Sequence, residues 1–234
     1  MMKMRRLFLL LVPIFLQCAS SPLAKYETSA LSWEPDIRQF ETMDRNEADP
    51  DESILFVGSS SIRLWSTIRE DMAPYPVIQR GFGGSKLSDV AWYAERIIYP
   101  HRFRALVLFV ANDITGSADD RSLEETTALF RHIVKTVRKK FRSEPVFFIE
   151  ITPTNSRWSA WPRISKANRL IEKECGREPG CHFIRTSKYF MGADGRPNDG
   201  LFMDDRLHLN QEGYRLWSKL IKDALDSELP PLKR

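Results

Sequence analysis

Cysteine is scarce in this sequence: 234 residues contain three, Cys18, Cys175 and Cys181. So few exclude a small scaffold stapled by several disulfides, and a chain of this length can bury a full core without them. Cys175 and Cys181 flank the turn-rich spacer GREPG, and an oxidising compartment would allow them to pair. No second Cys or His pair at ligand spacing accompanies them, so no zinc or other metal centre is expected. Long apolar runs are also lacking. The run at residues 7–16 is about half the ~20 residues of a spanning helix, which argues against a permanent membrane anchor of that kind. Excess charge of one sign is missing too. Lys plus Arg number 35 against 31 Asp plus Glu, and three of the basic residues, Lys3, Arg5 and Arg6, lie at the start. Without them the balance is 32 (35 less 3) to 31, which gives no basis for binding nucleic acid. There is no internal repeat and no low-complexity block.

What is present begins with an export pattern. A basic start, the short apolar run and the small polar exit Gln17-Cys18-Ala19-Ser20-Ser21 read as a signal over residues 1–21. Two processing outcomes stay open. Cleavage after Ala19 to Ser21 releases a soluble protein; cleavage before Cys18 leaves a lipid on that cysteine and attaches the protein to a membrane. FLQCASSP resembles a bacterial lipoprotein signal, although Gln17 stands where Gly, Ala or Ser is usual. The expected location is the bacterial periplasm or cell envelope, or outside the cell.

Residues 22–52 read as an N-terminal extension and first helix, 53–227 as the main domain and 228–234 as a tail. Residues 21–33 show no periodicity; 35–46 read as a helix with proline early. Strands are expected at 53–57, 77–79, 105–110, 146–151 and 182–185, as nearly continuous apolar runs rich in β-branched and aromatic residues. Helical spacing occupies 62–72, 87–98, 123–141, 159–175 and 211–225. In 123–141 the stripe Leu129, Ile133, Val134, Val137 and Phe141 is apolar, and His132 falls on the polar side. Alternating strands and helices predict an α/β fold, a parallel sheet with helices on both faces, and ligands beyond the carboxyl ends of the strands.

Chemistry-bearing residues follow each run. After the first comes Gly58-Ser59-Ser60-Ser61, and after the second Arg80-Gly81-Phe82-Gly83-Gly84-Ser85. Ala111-Asn112-Asp113 follows the third and Thr152 to Trp158 the fourth. A longer connection after the fifth leads to Asp204-Asp205-Arg206-Leu207-His208-Leu209-Asn210. Each has a plain structural reading: Ser60 or Ser61 as a helix cap, the glycines as a turn, Asn112 as a turn residue, Asp205 as the cap of the last helix. The glycine loop lacks GxGxxG spacing and a later acidic partner, so no dinucleotide site is expected. Together they make a complementary set. A serine needs a neighbouring base, His208 can supply one, and Asp205 can hold its tautomer. The Gly84 N–H and the Asn112 amide can stabilise an oxyanion. His101 and His182 have no aspartate at comparable spacing.

The blocks FVGSSSIRLW, RGFGGSKLSDV, VAND and DDRLHLNQEGYRLW occur in the order of the SGNH hydrolases, the GDSL-type esterases and lipases, and resemble a bacterial branch whose first block reads G-S-S-S-I-R. The resemblance covers roughly residues 53–222. It implies a three-layer α/β/α sandwich with a five-stranded parallel sheet, a flavodoxin-like fold. It also implies Ser60 as nucleophile, Asp205 and His208 as the rest of a triad, and an oxyanion hole from Ser60, Gly84 and Asn112, with no cofactor. Ser59 replaces the family's usual Asp, and Val110 replaces a glycine that often begins the third block. Trp65, Arg157, Trp158 and Trp161 are expected near the rim, where aromatic faces and a guanidinium suit a sugar. The expected activity is hydrolysis of short acyl esters of a carbohydrate or small alcohol. A sugar O-acyltransferase, or a non-catalytic envelope or carbohydrate-binding protein, are the alternatives.

Overall fold

The computed structural model describes residues 22–232. The export-signal reading of residues 1–21 lies outside the described residues. The apolar runs form β1 (Ile54–Gly58), β2 (Val77–Gly81), β3 (Ala105–Phe109), β4 (Val146–Ile149) and β5 (Cys181–Ile184). They make one sheet in the order β2-β1-β3-β4-β5, with every neighbouring pair parallel. The helices are α1 (Glu27–Leu31), α2 (Glu34–Asn46), α3 (Ser60–Arg63), α4 (Ile68–Asp71), α5 (Leu87–Ile98), α6 (Leu123–Lys140), α7 (Trp161–Cys175) and α8 (Gln211–Glu228).

Side chains alternate across a strand, and here both faces are covered. Leu55, Val57, Leu106, Leu108, Val146 and Phe148 enter one core with Val90 and Ile97 of α5, Ile133 and Val137 of α6, and Ile164 and Ile171 of α7. Ile54, Phe56, Val107, Phe147 and Ile149 enter the other, against Tyr214, Trp217, Ile221 and Leu225 of α8. This is the three-layer α/β/α sandwich expected. Strand order reverses direction between β1 and β3, so the crevice beyond their carboxyl ends is the natural ligand position.

Two segments differ from the sequence reading. The helix expected over 62–72 is two single turns, α3 and α4. The Gln79 Nε2 of β2 donates to the carbonyls of Ile62 (2.6 Å) and Trp65 (3.2 Å), occupying acceptors that a continuous helix would use itself. Asp71 Oδ2 then takes Trp65 Nε1 at 2.7 Å and Thr67 Oγ1 at 2.6 Å, which fixes the bend. In the aperiodic stretch 21–33, the residues after Ser21 form a short turn and α1, with Tyr26 and Ala30 buried in the first core against α5. The Tyr93 hydroxyl of α5 holds this segment by donating to the Ala30 carbonyl at 3.1 Å. Arg96 bridges Glu34 and Glu41 of α2, and its hydrogen bonds hold the Glu34 carboxyl down at about 2 despite some desolvation.

Cys175 ends α7 and Cys181 opens β5. Both are buried thiols, and their hydrogen bond, with burial, pushes the Cys175 thiol up.

Candidate active site

β1 delivers the serine triplet through a close crossing. A Cβ on Gly58 would lie 2.0 Å from the Phe109 carbonyl oxygen, so only glycine lets β1 pass the end of β3 at this distance. The Ser59 N–H then donates to that same oxygen at 3.0 Å. On the other side, a Cβ on Gly81 would lie 2.4 Å from the Arg63 nitrogen, so β2 lets α3 sit directly on the sheet end. Ser59 occupies the cap position of α3, and its side chain makes no capping bond. The Ser60 hydroxyl is directed elsewhere: its Oγ lies 3.0 Å from His208 Nε2. Ser61 is buried, and its carbonyl accepts from the Tyr214 hydroxyl of α8 at 2.9 Å, tying α3 to the second core.

The loop before α8 presents the histidine. Asp205 Oδ1 accepts the N–H groups of Leu207 and His208, each at 2.9 Å, while Oδ2 lies 2.6 Å from His208 Nδ1. Asp205 therefore caps its own turn, and α8 is capped by Asn210, whose side chain accepts from Gly213 N at 3.0 Å. Burial raises the Asp205 carboxyl, but the bonds from the His208 ring and the two N–H groups outweigh it, and the net shift is below the usual carboxylate range. An ionised carboxylate only accepts hydrogen bonds, so Nδ1 carries the ring proton of a neutral imidazole. Nε2 is left with its lone pair toward Ser60. The loop is pinned by Met203 N–H to the His208 carbonyl at 2.8 Å and by the antiparallel bridge between Phe202 and Leu209.

The third strand end supplies Asn112. Its Nδ2 donates to the Ser85 carbonyl at 3.0 Å, and its Oδ1 accepts from Arg157 Nη2 at 2.7 Å. The neighbouring Asp113 is buried and accepts the Leu87 N–H of α5 at 2.9 Å, anchoring this loop. Burial pushes the Asp113 carboxyl up to about 6, against the pull of Leu87 N–H and of Arg121. Gly84 sits on an exposed turn with φ of +48°, a conformation that favours glycine. Among the described residues, neither the Gly84 N–H nor the Ser60 N–H makes a hydrogen bond.

Ser60, Asn112, Arg157 and His208 line one cavity of about 20 Å³, with Ile151, Thr154 and Trp217 behind them. Gly84 is not in that lining, although the Ser85 carbonyl beside it holds Asn112. Trp65 requires a correction. It is fully buried, stacks on Tyr214 at 5.0 Å between centroids, and donates its indole N–H to Asp71, so it packs the second core and cannot meet a substrate. Arg157 lines the cavity, yet its guanidinium is engaged by the Ala111 carbonyl (2.7 Å) and Asn112, so it does not act as a free rim cation. Trp158 and Trp161 are half-buried and lie parallel, 6.3 Å apart, outside the cavity; the Arg196 guanidinium covers one face of Trp158.

Ser85, Tyr214 and Thr154 were not singled out from sequence; their contributions are backbone acceptors, a core-to-loop tether and a turn cap, which carry no motif. The sequence also could not show that His101 has an aspartate partner. Its Nδ1 lies 2.9 Å from Asp49, 52 positions away. The His101 ring is buried and Asp49 half-buried, before β3 at the amino end of the sheet, far from the serine in the fold. Among the described residues, no three of His, Cys, Asp and Glu converge so as to hold a metal ion.

Comparison with known proteins agrees with this fold. The family model described as GDSL-like Lipase/Acylhydrolase family matches residues 55–216. No curated protein matches at a significant level. Similar solved structures include a GDSL-like lipase from Bacteroides thetaiotaomicron, 16% identical, covering 82% of this chain and 98% of that one, TM-score 0.69. The lipase/acylhydrolase from Enterococcus faecalis is 20% identical, covering 78% and 100%, TM-score 0.61. An acetylxylan esterase from Geobacillus stearothermophilus is 13% identical, covering 74% and 93%, TM-score 0.61. At these identities the likeness is one of fold.

Proposed function

The chain belongs to the GDSL-like lipase/acylhydrolase family, and on that premise we propose that it is an exported serine esterase that removes short acyl groups, acetyl foremost, from a carbohydrate or small alcohol. The observation that carries this reading is the unbroken relay from Asp205 through His208 (2.6 Å) to Ser60 Oγ (3.0 Å). Ser60 Oγ attacks the ester carbonyl carbon as its proton passes to His208 Nε2. Asp205 stabilises the imidazolium that forms. In this reading the oxyanion takes the Ser60 N–H, the second Nδ2 hydrogen of Asn112 and the N–H of the neighbouring Gly84 turn. His208 returns the proton to the departing alkoxide. It then deprotonates a water that attacks acyl-Ser60, releasing the carboxylate and restoring the hydroxyl.

The size of the cavity supports a short acyl group. About 20 Å³ accommodates one water-sized or methyl-sized group and little more. Solved neighbours named as acetylxylan esterases favour acetylated sugars as the class to try first. Trp158, on the connection that also carries Arg157, and Trp161, the first residue of α7, are the candidates to face a sugar ring. Export rests on the pattern of residues 1–21, with a free or lipidated product depending on which side of Cys18 is cut.

A series of p-nitrophenyl esters tests the acyl preference, with acetylated oligosaccharides run beside them. From acetate to octanoate, kcat/KM should fall about 100-fold, equivalent to roughly 2.7 kcal/mol of lost transition-state binding. Equal rates on both esters, after subtraction of a Ser60→Ala background, would exclude a short-acyl pocket.

A further inference from the structure

The Arg157 guanidinium meets no ion-pair partner within salt-bridge distance among the described residues, and it reaches instead for two oxygens of the third strand end. We propose that Arg157 is a positioning residue that fixes which way the Asn112 carboxamide faces. The inference rests on Asn112 acting as an oxyanion donor, as set out above.

A carboxamide can be flipped about its last bond at little steric cost, which exchanges oxygen and NH2. The two orientations are opposite in function. With NH2 toward the reacting carbonyl, Asn112 stabilises the developing negative charge; with oxygen there, it repels it. The neighbours decide between them by donor and acceptor chemistry. A guanidinium has donors only, so the atom facing Arg157 Nη2 must be the oxygen. The Ser85 carbonyl only accepts, so the atom facing it must be nitrogen. A flipped amide would set NH2 against the guanidinium and oxygen against the Ser85 carbonyl, and both contacts would become repulsive. One Nδ2 hydrogen goes to Ser85, and the other is left for the oxyanion. The pull of a cation on the amide oxygen also polarises the group and strengthens the remaining N–H as a donor.

Arg157 is itself held in place. Its second nitrogen, Nη1, donates to the Ala111 carbonyl, the residue before Asn112, so the fork grips the backbone and the side chain of one loop together. A lysine has a single ammonium and lacks this planar two-point geometry. The turn that carries Arg157 starts at Thr154, whose Oγ1 accepts the Arg157 N–H at 3.3 Å. It is joined to the histidine loop by the Ser156 N–H to the Arg206 carbonyl, at 3.3 Å.

The test is a double-mutant cycle on kcat for p-nitrophenyl acetate, with Arg157→Met, Asn112→Ala and the double variant, and melting temperatures recorded for each. Arg157→Met should lower kcat about 10- to 100-fold, within the range for losing an oxyanion donor, with KM changed less than about twofold. In the Asn112→Ala background, the same change should alter kcat less than about threefold, because its target is gone. Arg157→Lys, which keeps the charge and can reach only one of the two oxygens at a time, runs in parallel in case the methionine variant does not fold. It should show a smaller loss and the same non-additivity. Equal losses in both backgrounds, or a loss confined to KM, would overturn the proposal and return Arg157 to substrate binding or simple packing. If Asn112→Ala leaves kcat nearly unchanged, the oxyanion role of Asn112 falls first and this inference with it.

Discussion

Replacing Ser60 by alanine is expected to lower kcat for ester hydrolysis by about 10⁶-fold while the melting temperature stays within about 2 °C. The two halves of that expectation have separate causes. The hydroxyl is the only group in the relay that can carry the acyl chain, and His208 Nε2 at 3.0 Å has no other nucleophile to activate among the described residues. A water placed there would recover only the part of catalysis due to the oxyanion donors and binding. Stability is spared because the hydroxyl does not cap α3 and fills no core position. The backbone bonds of the triplet, Ser59 N–H to Phe109 and Leu64 N–H to the Ser60 carbonyl, are untouched by removing one oxygen. Circular dichroism and thermal melting of the purified variant check the second half, and initial rates the first. Near-wild-type turnover by a folded Ser60→Ala protein would end the assignment.

Asp205→Asn should cost about 10⁴-fold in kcat, again with little loss of fold. The amide oxygen can still accept the N–H groups of Leu207 and His208, so the turn survives. The amide nitrogen, however, would face Nδ1 as a donor and draw its lone pair. The ring proton would then sit on Nε2, which could not accept the proton of Ser60. The wild-type pH profile carries a related expectation. Because the Asp205 carboxyl lies below the usual carboxylate range, it stays ionised as the solution is acidified through the weakly acid region. The acid limb should therefore report the uptake of a single proton, with Asp205 contributing none. A slope of two in log kcat/KM across that region would mean that Asp205 protonates as well.

How much of this was readable in the sequence depends on whether a residue's partner is near it in the chain or set by the sheet. The strands were legible because burial on both faces makes them continuous apolar runs, and β3 and β4 fall within the segments expected. Once the strands were placed, the parallel-sheet rule brought Ser60, Asn112 and the Asp205–His208 turn to one end. The D-x-x-H spacing is local, and so is its hydrogen bonding. The break after Arg63 was not legible, since its cause is Gln79 on the neighbouring strand. That break also explains the misplacement of Trp65: with the helix interrupted, its ring turns into the core against Tyr214, a contact spanning 149 positions. Arg157 stood in the expected region, but a guanidinium at a rim looks the same in sequence whether it meets a ligand or an asparagine. Its partners lie 45 and 46 positions earlier.

The most direct test of the central claim is where the acyl group goes. During turnover of p-nitrophenyl acetate, acid quenching followed by peptide mapping should find one acetyl group per chain, on the peptide containing Ser60, with the modification assigned to Ser60 rather than Ser59 or Ser61. The Ser60→Ala protein should carry none there. An acetyl group on another residue that forms and decays at the rate of turnover, or undiminished turnover without any acyl-enzyme in the Ser60→Ala protein, would contradict the account.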